Sequence, residues 1–135
     1  MEAFRVLVVD DEPDFLETIL KRLKRRKIDA TGVDSGKAAL ELLEREPFDV
    51  VILDVRMPGM DGIETLKEMK KRRPLMEVIM LTGHASVEAG MQGMQLGAFD
   101  FVMKPAEMDD LLERIRQAFE RKQLHEKKVH EFRAI

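Results

Sequence analysis

The stretch Asp49-Val50-Val51-Ile52-Leu53-Asp54, followed by Val55-Arg56-Met57-Pro58-Gly59, carries the most structural information in the chain. An apolar, largely β-branched run that closes on a carboxylate and then on a Pro-Gly turn predicts a short buried strand. In an open parallel sheet, ligands gather at the carboxyl ends of the strands, and that is where this reading places Asp54.

Nearer the N-terminus, Phe4-Arg5-Val6-Leu7-Val8-Val9 repeats the design and terminates in Asp10-Asp11. Three carboxylates then converge on one sheet edge. Like charges at close range cannot all stay ionised unless a cation sits among them, so the cluster implies a hard divalent metal with oxygen ligands. Glu77-Val78-Ile79-Met80-Leu81 ends in Thr82-Gly83, and Phe99-Asp100-Phe101-Val102-Met103 ends in Lys104-Pro105. A carboxylate nucleophile, a metal cluster, a hydroxyl and an ammonium together supply what phosphoryl transfer requires. Asp54 can attack phosphorus in line while the metal, Thr82 and Lys104 stabilise the equatorial oxygens.

Helical segments alternate with the strands. Pro13 to about Arg26 predicts a first helix, with Asp11 or Glu12 near its cap and Phe15, Ile19, Leu20 and Leu23 on its buried face. Ile28 to Val33 is a weaker edge strand. Ser35-Gly36 opens a second helix ending at Glu46, before Pro47. Asp61 or Gly62 opens a third, carrying Ile63, Leu66 and Met69. The pattern predicts an α/β fold: a five-stranded, doubly wound parallel sheet in the flavodoxin-like order 2-1-3-4-5.

The chain has 135 residues, a single domain's length, and contains no cysteine, which excludes disulfides and cysteine metal sites. A cytoplasmic location is expected, since no apolar run approaches the ~20 residues of a membrane span and no signal-like segment precedes the first strand. A net charge of −3 argues against a nucleic-acid-binding module. The basic runs Lys21 to Lys27 and Lys70 to Arg73 fall at predicted helix ends, where cations meet the dipole favourably.

Five motifs in this order, Val8-Val9-Asp10-Asp11-Glu12, Leu53 to Gly62, Leu81-Thr82-Gly83, Gly97-Ala98-Phe99-Asp100-Phe101 and Lys104-Pro105, resemble the receiver domains of two-component response regulators over roughly residues 3 to 122. The resemblance implies that Asp54 is the phosphoacceptor. It also implies that Asp10, Asp11, Asp54 and the backbone carbonyl of Arg56 hold Mg2+, that Thr82 and Lys104 bind the phosphoryl oxygens, and that Phe101 is the aromatic switch. The partner it implies is a sensor histidine kinase or phosphotransfer protein, docking on the first helix. Dimerisation through helix 4, strand 5 and helix 5 is common in the family. The wording around Thr82-Gly83-His84-Ala85 is similar to receivers of transcriptional activators or hybrid kinases. Two other function classes compete with this reading. A phosphatase of the haloacid dehalogenase type needs an acid two residues after the nucleophile, where this chain has Arg56. A degenerate receiver acting only as an interaction module would lack one of the acidic, hydroxyl or lysine positions, and all are present. Side chains at Arg56 and His84 are placed to influence water access to the phosphoryl group.

The fourth helix, Ser86 to Leu96, carries Gly90 and Gly93 in its interior, each costing roughly 1 kcal/mol against alanine. That low helicity predicts a mobile element beside Thr82; the alternative is that the glycines permit close packing. The fifth helix, starting at Asp109-Asp110, closes the fold with Leu111, Leu112, Ile115, Ala118 and Phe119. Residues 1–122 form the expected receiver unit and 123–135 a helical extension, read as the start of a linker to an output domain, with a dimer contact or a frayed end as alternatives.

Overall fold

The computed structural model describes residues 4–55, 62–83 and 87–134. Strands β1 (Arg5–Val9), β2 (Asp29–Val33), β3 (Val50–Asp54), β4 (Glu77–Thr82) and β5 (Asp100–Met103) alternate with helices α1 (Pro13–Arg25), α2 (Gly36–Arg45), α3 (Gly62–Arg72), α4 (Val87–Gln95) and α5 (Met108–Ala134). The sheet order is β2-β1-β3-β4-β5, parallel throughout, as the alternation of strands and helices predicts.

Period-two alternation along each strand sorts the core into two layers. Leu7, Val9, Val51, Leu53, Val78 and Met80 pack against Ala39, Leu40 and Leu43 of α2 and Leu66 and Met69 of α3. On the opposite face, Val6, Val8, Val50, Ile52, Ile79, Leu81 and Val102 meet Ile19 and Leu23 of α1 and Leu111, Ile115 and Ala118 of α5. Each fully buried aliphatic side chain contributes about 1.5–3 kcal/mol, so the strands are held from both faces. Short local signals start the helices. Pro13 begins α1, and the Ser35 hydroxyl accepts the Ala38 N–H at 3.1 Å to cap α2.

Two elements refine the sequence expectation. Helix α5 runs 27 residues without a break, so residues 123–134 continue the same helix past the last fully buried position, Ala118. In α4 the interior glycines lie against the sheet. A Cβ on Gly90 would come within 3.0 Å of the Thr82 methyl and 3.1 Å of the Phe101 ring, whereas one on Gly93 would reach Met80 at an ordinary 3.4 Å. Close packing is therefore a physical requirement at Gly90.

Candidate functional site

Strand register brings the chemistry together. Val9 of β1 pairs with Leu53 of β3, Asp54 with Leu81 of β4, and Thr82 with Met103 of β5, so Asp10, Asp54, Thr82 and Lys104 all end their strands at one edge. Backbone bonds lock the rim, with Val55 N–H donating to Leu81 O at 3.0 Å and Lys104 N–H to Thr82 O at 2.7 Å. The α3 start crosses directly beneath. Gly62 N–H donates to Val55 O at 3.0 Å, and a Cβ on Gly62 would stand 2.6 Å from the Asp54 carbonyl oxygen. Glycine alone permits that approach, which makes Gly62 a residue on which the Asp54 backbone position depends.

At the edge, Asp10 is fully buried and Asp54 is 5 % exposed. The two oxygens of Asp10 divide their work. Oδ1 accepts the Glu12 N–H at 2.9 Å and fixes the turn into α1, while Oδ2 accepts from Lys104 Nζ at 3.1 Å. The same ammonium lies 3.6 Å from Asp54 Oδ1 and 3.6 Å from Glu12 Oε1. Partial burial works to lower the Lys104 pKa; the Asp10 hydrogen bond and the charges of Asp54, Asp10 and Glu12 outweigh it, and the pKa sits above the ordinary lysine value. Thr82 is fully buried, and its hydroxyl is the one buried side-chain polar atom without a hydrogen-bond partner among the described residues. A buried hydroxyl is costly to leave unpaired, so this one is available to donate to a group bound at the edge.

One carboxylate oxygen from each of Asp10, Glu12 and Asp54 falls within 4.8 Å of the others, an all-oxygen donor set suited to a hard divalent cation. Asp11, expected from the sequence as the second metal carboxylate, is half-buried in the same turn and lies outside that set. Glu12, read from the sequence only as a cap, stands inside it. The Arg56 carbonyl and His84 lie outside the described residues. Phe101 is half-buried on β5 and packs into the α2–α3 face of the core, against the position of Gly90.

Residues 6–116 match the family model described as the response regulator receiver domain. The chain belongs to that family. Among related proteins, the response regulator PilR of Pseudomonas aeruginosa is 37 % identical over 118 residues, which cover 87 % of this chain and 26 % of PilR. The DNA-binding transcriptional regulator NtrC of Escherichia coli is 35 % identical, with 87 % of this chain and 25 % of NtrC covered. The receiver therefore spans about a quarter of the length of these relatives. Among solved structures, a receiver domain from Clostridium thermocellum superimposes with a TM-score of 0.86 at 36 % identity, covering 90 % of this chain and 98 % of that one. An adenylate cyclase structure from Rhodopirellula baltica superimposes with a TM-score of 0.93 at 29 % identity, covering 99 % of this chain and 100 % of that one. Among the described residues, no helix of this receiver is long and apolar enough to cross a membrane.

Proposed function

We propose that this receiver is a phosphoacceptor switch in which Asp54 takes a phosphoryl group from a sensor histidine kinase, a phosphotransfer protein or a small phosphodonor. The observation that supports it most is the meeting of Lys104 Nζ with Asp10 at 3.1 Å and Asp54 at 3.6 Å, at the end of three strands and beside the unsatisfied Thr82 hydroxyl.

Mg2+ fits the carboxylate set: Asp10, Asp54 and an acid of the β1–α1 turn (Asp11 or Glu12) would hold it, together with the Arg56 carbonyl. Bound there, it supplies positive charge to the phosphoryl oxygens. Asp54 acts as nucleophile: a carboxylate oxygen forms the new bond to phosphorus as the bond from phosphorus to the donor's leaving nitrogen or oxygen breaks. Lys104, already turned toward Asp54, neutralises one equatorial oxygen, and the Thr82 hydroxyl donates to another. Attack of water on the same phosphorus breaks the bond to the Asp54 oxygen, releasing inorganic phosphate and the free carboxylate. The signal leaves through packing. Thr82 and Phe101 both border the Gly90 position, where a Cβ would meet them at 3.0 and 3.1 Å, so movement of Thr82 toward the phosphoryl group is transmitted to α4 and to the Phe101 ring. Lacking tyrosine's hydroxyl, Phe101 signals by packing alone.

A shallow groove lined by Phe15, Thr18, Arg22, Ala106 and Met108 lies between α1 and the start of α5, next to Lys104, and suits a kinase approaching from α1. Exposed Met91 and Met94 on α4 favour a second copy meeting α4, β5 and α5 on output. The continuation of α5 past Lys122, with the greater length of PilR and NtrC, supports a linker leading to an output domain.

Titration with beryllofluoride and Mg2+, followed by amide NMR, tests the switch. Expected are shifts at Thr82, along α4 and at Phe101 that require Mg2+ and vanish in Asp54→Asn. Saturable binding by Asp54→Asn with the same shifts would contradict the assignment of Asp54.

A further inference from the structure

We propose that Phe15 is a positioning residue for Lys104, its ring face holding the ammonium at the phosphoryl site. The proposal rests on the reading of Lys104 as a phosphoryl ligand. Lys104 Nζ stands over the Phe15 ring, 4.5 Å from its centroid. By helical period Phe15 is simply an apolar residue of the buried face of α1, and it does pack at the edge of the α1–α5 core layer. The ammonium above it gives the ring a second task.

Lysine carries its charge on four flexible methylenes, and carboxylates attract that charge with little directional preference. Here three compete for it: Asp10 at 3.1 Å, Asp54 at 3.6 Å and Glu12 at 3.6 Å. The Glu12 side chain is 68 % exposed, so pairing with it alone would draw the ammonium toward solvent. The ring counters this. Its negative face attracts the ammonium along the ring normal, at 4.5 Å from the centroid, where the head group stays within reach of Asp10 and Asp54. Lys104 is 21 % exposed, a degree of burial at which a cation over an aromatic face is worth more than at an open surface. The local sequence delivers the ring there. Pro13 starts α1, and Phe15 sits in its first turn, three residues after Glu12, on the side facing the end of β5.

The test compares Phe15→Leu and Phe15→Met, which keep apolar bulk, with Phe15→Tyr, which keeps the ring face, all in the full chain. Two quantities are read: the rate of Asp54 labelling by a small phosphodonor in Mg2+, and the NMR shift of the Lys104 ε-methylene, which a ring beneath it moves upfield. We expect the non-aromatic variants to label about threefold to tenfold more slowly and to lose the upfield shift, with Phe15→Tyr within about twofold of the parent on rate and retaining the shift. Non-aromatic variants that label at the parent rate, an unmoved Lys104 shift, or a Phe15→Tyr variant as slow as Phe15→Leu would each overturn the proposal. Absence of labelling in the parent chain would instead overturn the phosphoacceptor reading, and the Lys104 shift would still report on the ring.

Discussion

Carboxylate oxygens of Asp10, Glu12 and Asp54 lie within 4.8 Å of one another and share the Lys104 ammonium, so like charges repel at this edge. Replacing Asp54 by Asn removes one of those charges at nearly constant volume. Urea unfolding in metal-free buffer is therefore expected to show Asp54→Asn about 1 kcal/mol more stable than the parent, and added Mg2+ is expected to stabilise the parent more than the variant. A variant less stable than the parent without metal would mean that Asp54 is a structural acceptor. Lys104 adds a pH dependence of known sign. Its folded-state pKa is raised, so its ion pairs contribute fully below the ordinary lysine value and are lost as pH rises through the higher folded value, leaving them intact at neutral pH. Asp54, Asp10, Thr82 and Lys104 were legible because a strand end needs only a hydropathy run and a turn to be recognised. The choice between Asp11 and Glu12 was not. Successive residues of a turn point in different directions, and which one faces the cluster depends on how Asp10 Oδ1 holds the Glu12 N–H at the entry to α1.

Helix α4 shows what periodicity alone leaves open. Two interior glycines point first to mobility, with close approach as the alternative, because helix propensity alone counts the same cost for either. The surroundings separate them. Alanine at Gly93 meets only ordinary contact with Met80 and Leu66, and recovers propensity, so Gly93→Ala is expected to stabilise by up to about 1 kcal/mol. Alanine at Gly90 presses on Thr82 at 3.0 Å and Phe101 at 3.1 Å, and overpacking offsets the gain. Thermal unfolding should place Gly93→Ala above Gly90→Ala by about 1–2 kcal/mol. Equal stabilisation by both would show that α4 is not seated tightly on β4 and β5. Elements with a dense apolar period, such as α1 with Ile19 and Leu23, are legible almost to the residue, and the helical character of residues 123–134 is legible as propensity, whereas their continuity with α5 as one 27-residue helix is not. Beyond Ala118 its apolar residues thin out, and the helix is carried by propensity and by pairs such as Lys122–Glu126 and Lys127–Glu131.

Across the whole molecule, the end opposite Asp54 anchors α5. Glu77, 2 % exposed at the start of β4, accepts from Arg121 Nη2 at 2.9 Å and also from its Nε; Lys70 stands 3.6 Å away, and Arg121 lies over the Phe99 ring. Next to it Lys122 donates to Asp49 at 2.9 Å. Removing the Arg121 side chain leaves a buried carboxylate with one more distant partner, so Arg121→Ala is expected to cost about 2–3 kcal/mol in urea unfolding. Truncation after Gln123 removes exposed helix and surface pairs, and is expected to cost less than about 1 kcal/mol. A truncation as costly as Arg121→Ala would make the extension part of the folded core. These anchors are long-range side-chain pairs, which no local pattern in the sequence announces. Every role assigned at this edge serves one chemical event, transfer of a phosphoryl group to Asp54. Intact mass and peptide mapping after incubation with a small phosphodonor, with and without Mg2+, test it most directly. One added phosphoryl group, located on Asp54 and dependent on the metal, is the predicted result; a group mapped to another residue, or labelling that persists in Asp54→Asn, would contradict it.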